Sequence, residues 1–362
     1  MEPVNNQAQA QGDESFDTMR KTIENLTEER SRLLSMLQGM GEGIIAIDLH
    51  SKITVINPEA QSLLGCKDVV GKPSSALETP ALLEALESAF KNTAELELEF
   101  GESGSRKWVE ARMAKQEEGG WVVLLRDVTE LRRLERIRRD FVANVSHELR
   151  TPVSIISANA ETLLGGAMAE PEIAERLVDA IDRNSHRLSS LINDLLDLSR
   201  LEAGRLTGER LEFGVHDFVE HVASSLRDKA AEEGVSISIS IPKGTTIWAI
   251  PDALEQIISN FIENAIKYGA TGKKVEITAE TQDNKVVIYV SDFGPGIKPK
   301  HRSRVFERFY RVDPGRSRAM GGTGLGLSIV KHLAESLGGR IGVLPNQPNG
   351  ARFWVEMASK EN

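Results

Sequence analysis

The sequence predicts a multidomain α+β chain: a small α/β domain, then an antiparallel helical hairpin, then a larger α/β domain. Three observations predict this. Short β-branched and aromatic runs bounded by Gly, Asn, Asp and Pro lie between residues 43 and 129. Two helical stretches with apolar stripes cover residues 130–150 and 172–202. From Arg210 onward helices alternate with the strand-like runs VSISISI, KVEITAET, KVVIYVSD, GRIGVLP and ARFWVEMA. At 362 residues the chain has room for two or three domains.

Composition narrows the class. Forty per cent hydrophobic residues supports ordinary buried cores and excludes wholesale disorder. A net charge of −10 disfavours a general nucleic-acid binder. The one cysteine, Cys66, makes no internal disulfide and no CxxC site, which fits a reducing compartment. No apolar run reaches the ~18 residues of a membrane span, and the polar start has no signal-peptide core, so a cytoplasmic protein is expected.

Residues 1–13 are rich in Gln, Asn and Ala and read as a disordered tail. Over residues 14–38, Phe16, Met19, Ile23, Leu26, Leu33 and Leu37 follow alternating three- and four-residue steps, with Arg30 as the polar step. This is a coiled-coil seam; one amphipathic helix packed on its own chain is the alternative. Over residues 39–129, GIIAIDL, KITVINP, KWVEARM and GGWVVLLRDVT read as strands, with helical turns at Pro58–Leu64 and 80–90. The opening GIIAID, the ITVINPEAQSLLG segment and the closing Asp127-Val128-Thr129 resemble a PAS sensor domain. A dimerisation spacer that senses nothing is the alternative. Cys66, in Gly-Cys-Lys, does not resemble a flavin-adduct motif, and His50 is the segment's single histidine, so no cofactor is expected there.

Residues 130–208 hold the hairpin. Leu134, Ile137, Phe141, Val145 and Leu149 form the stripe of its first helix. Arg132, Arg133, Arg136, Arg138 and Arg139, interleaved with Glu130, Glu135 and Asp140, read as a solvated ion-paired face. Leu177, Ile181, Leu188, Leu191, Leu195 and Leu198 form the seam of the second helix, with Asn184 as a polar step. Each helix carries more apolar face than one partner covers. Pairing two hairpins into a dimeric four-helix bundle would bury it, so a homodimer is expected.

Four strings carry chemistry. In Ser146-His147-Glu148-Leu149-Arg150-Thr151-Pro152, a helical advance of ~100° per residue points His147 away from Val145 and Leu149, towards water. A neutral ring nitrogen is a nucleophile if a neighbour takes the proton from the other nitrogen, and Glu148 is the adjacent carboxylate. Thr151 lies one turn on, and Pro152 weakens the helix just beyond. In NFIENAIKY, Asn260, Asn264 and Lys267 stack at i, i+4 and i+7 on a face other than that of the core residues. Asn is a poor mid-helix residue, amide oxygens are acceptable to Mg²⁺, and Lys offers charge to phosphate. Asp292-Phe293-Gly294-Pro295-Gly296 follows a strand; its carboxylate can accept from an exocyclic amine while the glycines admit a flat ring. Gly321-Gly322-Thr323-Gly324-Leu325-Gly326 runs into a helix, so backbone amides and a helix N-terminus face an anion. No Gly-Lys-Ser/Thr follows, so it is not a Walker loop. The Lys- and Arg-rich stretch between the glycine strings reads as a basic lid over polyphosphate.

In this order the four strings resemble the histidine, asparagine and two glycine boxes of bacterial two-component sensor histidine kinases, with a phosphate-regulon-type layout. The resemblance covers residues 137–358 and implies an α/β sandwich ATP-binding domain over residues 209–362. It implies His147 as phospho-acceptor, Glu148 as the residue assisting its deprotonation, and Thr151 as the residue positioning water for dephosphorylation of a partner. It implies Asn264 at Mg²⁺ with Asn260 beside it, and Lys267 and Tyr268 as nucleotide contacts. It further implies Asp292 as the adenine-reading carboxylate, Gly294, Gly296, Gly322, Gly324 and Gly326 as pocket and lid glycines, and Phe306 and Phe309 as aromatic-box residues. The implied cofactors are ATP and Mg²⁺. The implied partner is a separate response regulator with a receiver domain, because the sequence runs out soon after the nucleotide domain. An ATP hydrolase of the same superfamily is the first rival; there the position of Asn260 is generally a Glu that activates water, and an Asn takes no proton. A non-catalytic dimeric scaffold is the second, and it would require a broken nucleotide site.

Overall fold

The computed structural model describes residues 41–77, 79, 80, 82–84, 94–100, 107–116, 119–313 and 322–360, with residues 22, 25, 27–29, 32, 35, 36 and 39. The expected tail, the coiled-coil seam and most of the helical turn at 80–90 lie outside the described residues. The chain divides into two compact units, Met1–Asp140 and Phe141–Asn362.

The first unit is built on a five-stranded antiparallel sheet of order β2-β1-β5-β4-β3. Its strands are β1 (Gly43–Ile47), β2 (Ile53–Ile56), β3 (Ala94–Phe100), β4 (Lys107–Lys115) and β5 (Trp121–Asp127). Alternation drives them: Val109, Ala111 and Met113 of β4 and Val123 and Leu125 of β5 are buried, while Arg112 and Leu124 face out. Strand β3 is absent from the sequence reading, although AELELEF alternates Leu and Glu and buries Leu98. Helix α1 (Pro58–Leu64) follows β2. Its N-cap, Asn57, is buried and ties three segments together. Its Oδ1 accepts from Ala60 N and from Ile44 N, and its Nδ2 donates to Glu42 O. The Asp127-Val128-Thr129 string is a joint of the same kind. Asp127 Oδ1 accepts from Thr129 N, Thr129 Oγ1 accepts from Trp108 N, and Val128 N donates to Trp108 O. It fastens the start of helix α2 (Thr129–Leu164) to β4, and Arg132 adds an ion pair to Glu97 of β3.

In the second unit α2 pairs with helix α3 (Pro171–Glu202) across a turn holding Gly165 and Gly166. The expected helix over 130–150 is therefore too short: α2 runs on through Pro152 to Leu164. Pro152 cannot donate to the carbonyl one turn back. Pro152 is itself buried, and the helix continues past the lost bond. The Thr151 hydroxyl donates to His147 O at 3.2 Å on the adjoining turn. Leu134, Ile137, Val142, Val153, Val178, Ile192 and Leu196 remain exposed on the two helices of one chain.

The remainder is a mixed sheet of order β11-β12-β10-β9-β7. Strands β7 (Ser236–Ser240) and β9 (Lys274–Gln282) run parallel, and β10 (Lys285–Asp292), β11 (Arg340–Pro345) and β12 (Ala351–Ala358) complete it in antiparallel register. Helices α4 (Val215–Glu232) and α5 (Pro251–Gly269), the short α6 (Pro299–Arg302) and α7 (Gly326–Ser336) accompany it. A two-stranded ladder of β6 (Leu211–Gly214) and β8 (Thr246–Ala249), also missed from sequence, closes one end. Alternate residues of β10 and β12 (Val286, Ile288, Val290, Phe353, Val355) join Leu254, Ile257, Ile258, Phe261, Ile262 and Ile266 of α5 in one core.

Asn57→Ala removes a cap and leaves the Ile44 amide without its acceptor. We expect it to destabilise the first unit by about 2 kcal/mol. Hydrogen exchange should quicken in β1 and β2 and stay unchanged in α5; equal protection of β1 in both proteins would refute the role.

Candidate functional site

Helix α5 positions the first set of residues. Its buried face is continuous, so the row Asn260, Asn264, Lys267 has to run along its half-buried edge. Asn264 Nδ2 donates to Asn260 Oδ1 at 2.9 Å, which orients both amides and leaves the Asn264 oxygen as the hard ligand of the pair. Burial, then neighbouring Lys229, draws the Lys267 ammonium below its ordinary value. Its Nζ lies 5.6 Å from the ring centroid of Tyr268, which is exposed. Glu263 is engaged by Lys229 at 2.9 Å.

Asp292 ends β10, buried at 6% exposure. Its Oδ1 accepts from Gly294 N at 2.9 Å and Ala351 N at 3.2 Å. Its backbone oxygen accepts from Asn346 Nδ2 at 2.8 Å. Burial holds the carboxyl above its ordinary value, against the pull of the two amides. Gly269, at the end of α5, lies against it: a Cβ there would stand 2.5 Å from Asp292 Cβ. Gly294 packs as closely on Gly269, and Gly296, at φ +70°, on the Gly350 carbonyl. Gly269, Asn346 and Gly350 escaped the sequence reading. A Gly closing the helix after Tyr268 was a signal; the other two come from a loop distant in sequence and gave none.

The glycine loop meets α5 at Gly326, where a Cβ would stand 2.3 Å from Asn260 Nδ2. Gly324, at φ +77°, lies under the Phe309 backbone. Gly322 O accepts from Arg311 Nη2 at 2.6 Å. The asparagine row, Asp292 with its glycines, and the glycine loop thus lie along one edge of a single helix, from Asn260 near its middle to Gly269 at its C-terminal end.

On the hairpin, His147 is exposed. Glu148, beside it, is nearly buried between two guanidiniums: Arg187 of α3 donates to Oε2 at 2.8 Å, and Arg311 at 3.0 Å. Arg311 is 7% exposed, and its Nε is buried with no protein acceptor among the described residues. Thr323 Oγ1 donates to Asp194 Oδ2 at 2.6 Å, Gln256 Nε2 to Asp197 Oδ2 at 3.0 Å, and Arg308 pairs with Glu202. Phe309 packs on Phe141 with ring centroids 5.8 Å apart. Through these contacts the nucleotide-domain elements are seated on both hairpin helices. Arg187, Asp194 and Arg311 were not singled out as site residues from sequence, since each reads as an ordinary helix or loop charge.

The site thus joins a helical hairpin bearing an exposed histidine to an α/β domain bearing the asparagine row and the glycine loop. Residues 137–204 match the His Kinase A (phospho-acceptor) domain, residues 249–361 the histidine kinase-, DNA gyrase B- and HSP90-like ATPase, and residues 31–128 the PAS fold. The chain is 32% identical over 359 residues to Sensor protein SrrB of Staphylococcus aureus (strain NCTC 8325 / PS 47), covering 96% of this chain and 60% of that protein. It therefore spans about 60% of the length of the curated relatives it matches. The crystal structure of histidine kinase ThkA in complex with response regulator protein TrrA superposes with a TM-score of 0.51 at 23% identity, over 90% of this chain and 98% of that one. Full-length ShkA in complex with AMPPNP is 30% identical over 59% of this chain and 47% of that one, with a TM-score of 0.45. The three domain matches together with the Staphylococcus aureus relative support a bacterial two-component sensor histidine kinase. No helix among the described residues is long and apolar enough to cross a membrane.

The raised Asp292 carboxyl has a consequence for stability. The folded state binds that proton more readily than the unfolded chain, so stability falls as the pH rises from the ordinary carboxylate range through the raised value, and the penalty is complete above it. Asp292→Asn removes this penalty. We expect a gain of about 1 kcal/mol at pH 7 that fades as the pH falls to the ordinary carboxylate range, with nucleotide binding lost. Thermal unfolding across that range, with and without ATP, measures both; no gain at pH 7 would count against the assignment.

Proposed function

We propose that the chain is an ATP-dependent protein-histidine kinase that phosphorylates its own His147 and passes the phosphoryl group to an aspartate of a separate response regulator. The observation that carries this reading is the seating of the glycine loop on the helix that bears His147, through Arg311 and Glu148.

ATP binds between α5 and the glycine loop. Asp292 accepts from the adenine amine through Oδ2, the oxygen its two backbone bonds do not use. Gly294 and Gly296 leave room for the ring, and Lys267 and Tyr268 contact the nucleotide. Gly322, Gly324 and Gly326 present backbone amides to the phosphates. Mg²⁺ fits the amide oxygen of Asn264, with Asn260 orienting it; among the described residues no cluster of three or more His, Cys, Asp or Glu would hold a metal alone. When bound, the ion neutralises charge on the phosphate oxygens. A ring nitrogen of His147 attacks the γ-phosphorus in line, the bond to the bridging oxygen breaks, and ADP leaves. Glu148 takes the proton from the other ring nitrogen. An Asn at position 260 offers no base for water, which favours transfer over hydrolysis. Thr151, on the His147 face, positions water when the kinase dephosphorylates its regulator. The exposed apolar side chains of α2 and α3 are buried by a second copy, giving a four-helix bundle in a homodimer. The PAS domain supplies the input, passed along α2 from the joint at Asp127 and Thr129.

Incubation with γ-labelled ATP and Mg²⁺ should give an acid-labile, alkali-stable label, absent in His147→Gln and in Asp292→Asn. Label retained by His147→Gln would overturn the acceptor; steady phosphate release with no labelled protein would favour hydrolysis. Thr151→Ala should keep autophosphorylation within about twofold and lower regulator dephosphorylation by about tenfold or more. Equal loss of both activities would contradict the role given to Thr151.

A further inference from the structure

The glycine loop is fastened to the hairpin twice, at adjacent residues. Gly322 is held through Arg311 to Glu148 on α2. Thr323 is held directly by α3: its hydroxyl donates to Asp194 Oδ2 at 2.6 Å, a short bond to a carboxylate. The same hydroxyl oxygen accepts from Leu325 N at 3.3 Å, at the entry to α7. One side chain therefore couples α3, the loop and the N-terminal end of α7. Asp194 is mostly buried at this junction, three residues from Asp197, which holds Gln256 of α5. Both carboxylates lie on the α3 face turned to the nucleotide domain, and neither touches the reacting groups assigned above.

We propose that Asp194 is a positioning residue for phosphoryl transfer: by holding the Thr323 hydroxyl it fixes the phosphate-binding loop against the hairpin in register with His147. This rests on the kinase reading above and deepens it. A transfer reaction between two packed elements depends steeply on their spacing, so a strut between them acts on the rate of the step more than on nucleotide affinity. The backbone amides that would face the phosphates are untouched by a change at Asp194. The hydroxyl at 323 matters for its reach across to α3, and Ser serves as well as Thr.

The test uses the full chain and compares wild type with Asp194→Ala, Thr323→Val, Thr323→Ser and the Asp194→Ala/Thr323→Val double variant. Initial rates of label incorporation are measured over a range of ATP concentrations. Asp194→Ala and Thr323→Val should each lower kcat by about tenfold, with KM for ATP moved by less than about twofold. The double variant should be no slower than the worse single variant, because both remove one strut. Thr323→Ser should recover the rate that Val loses. In parallel, hydrogen exchange over residues 322–327 should quicken in Asp194→Ala and Thr323→Val and stay at the wild-type rate in Thr323→Ser. A wild-type kcat in Asp194→Ala, losses that multiply in the double variant, or a change confined to KM overturns the proposal. Failure of the wild type itself to take label refutes the kinase reading, and unchanged exchange with normal labelling refutes the strut alone.

Discussion

The constraint on which the second unit depends is the burial of one face of α5. Leu254, Ile257, Ile258, Phe261, Ile262, Ala265 and Ile266 are all closed off against the sheet and α4, which allows the helix a single rotation about its axis. A helix pinned in this way can place Asn260, Asn264 and Lys267 along one edge only. The same rotation brings Gly269 against Asp292 and Asn260 against Gly326. The three nucleotide motifs are thus arranged around a single hydrophobic element, and their spacing is set by core packing more than by direct polar contact.

Seating of the nucleotide domain on the hairpin follows a different logic. It combines polar and apolar contacts, the polar ones being Glu148 with Arg187 and Arg311, Asp194 with Thr323, Asp197 with Gln256, and Glu202 with Arg308. The apolar ones include Phe141 on Phe309, and Leu191 and Leu198 of α3, which are buried in the same core as α5 and α7. Its polar part separates at lower cost than its apolar part, because water can replace each polar bond as it breaks. In the reaction proposed above the histidine meets ATP first and another protein second, and a joint that is partly polar suits that order. The Glu148 carboxylate sits inside it, so the residue assigned to take the proton of His147 is held by groups from both sides.

In the first unit the polar joints are local and serve rigidity. Asn57 and Thr129 each bond backbone groups from distant segments, closing gaps that the sheet ladder leaves open. The Asp127-Val128-Thr129 string, legible in sequence only by resemblance, acquires a physical meaning here: it caps the start of α2 and welds it to β4.

The residues themselves determined much of this. The alternation of β4 and β5, the stripes of the hairpin, the exposed face of His147 and the row along α5 follow from periods of two and 3.6 applied to apolar side chains, and they needed no knowledge of what lay opposite. Strand β3 was legible in the same way and was missed, because its intervening residues are all Glu. The extension of α2 through Pro152 was not legible, since local propensity ends the helix there and the buried proline nonetheless stays within it. Nor were the partners of Glu148 and Asp194, or the approach of Gly350 and Asn346 to Asp292. Those contacts join residues up to 163 positions apart, and charge, hydroxyl or glycine at one end says nothing of which residue stands at the other until the chain is folded.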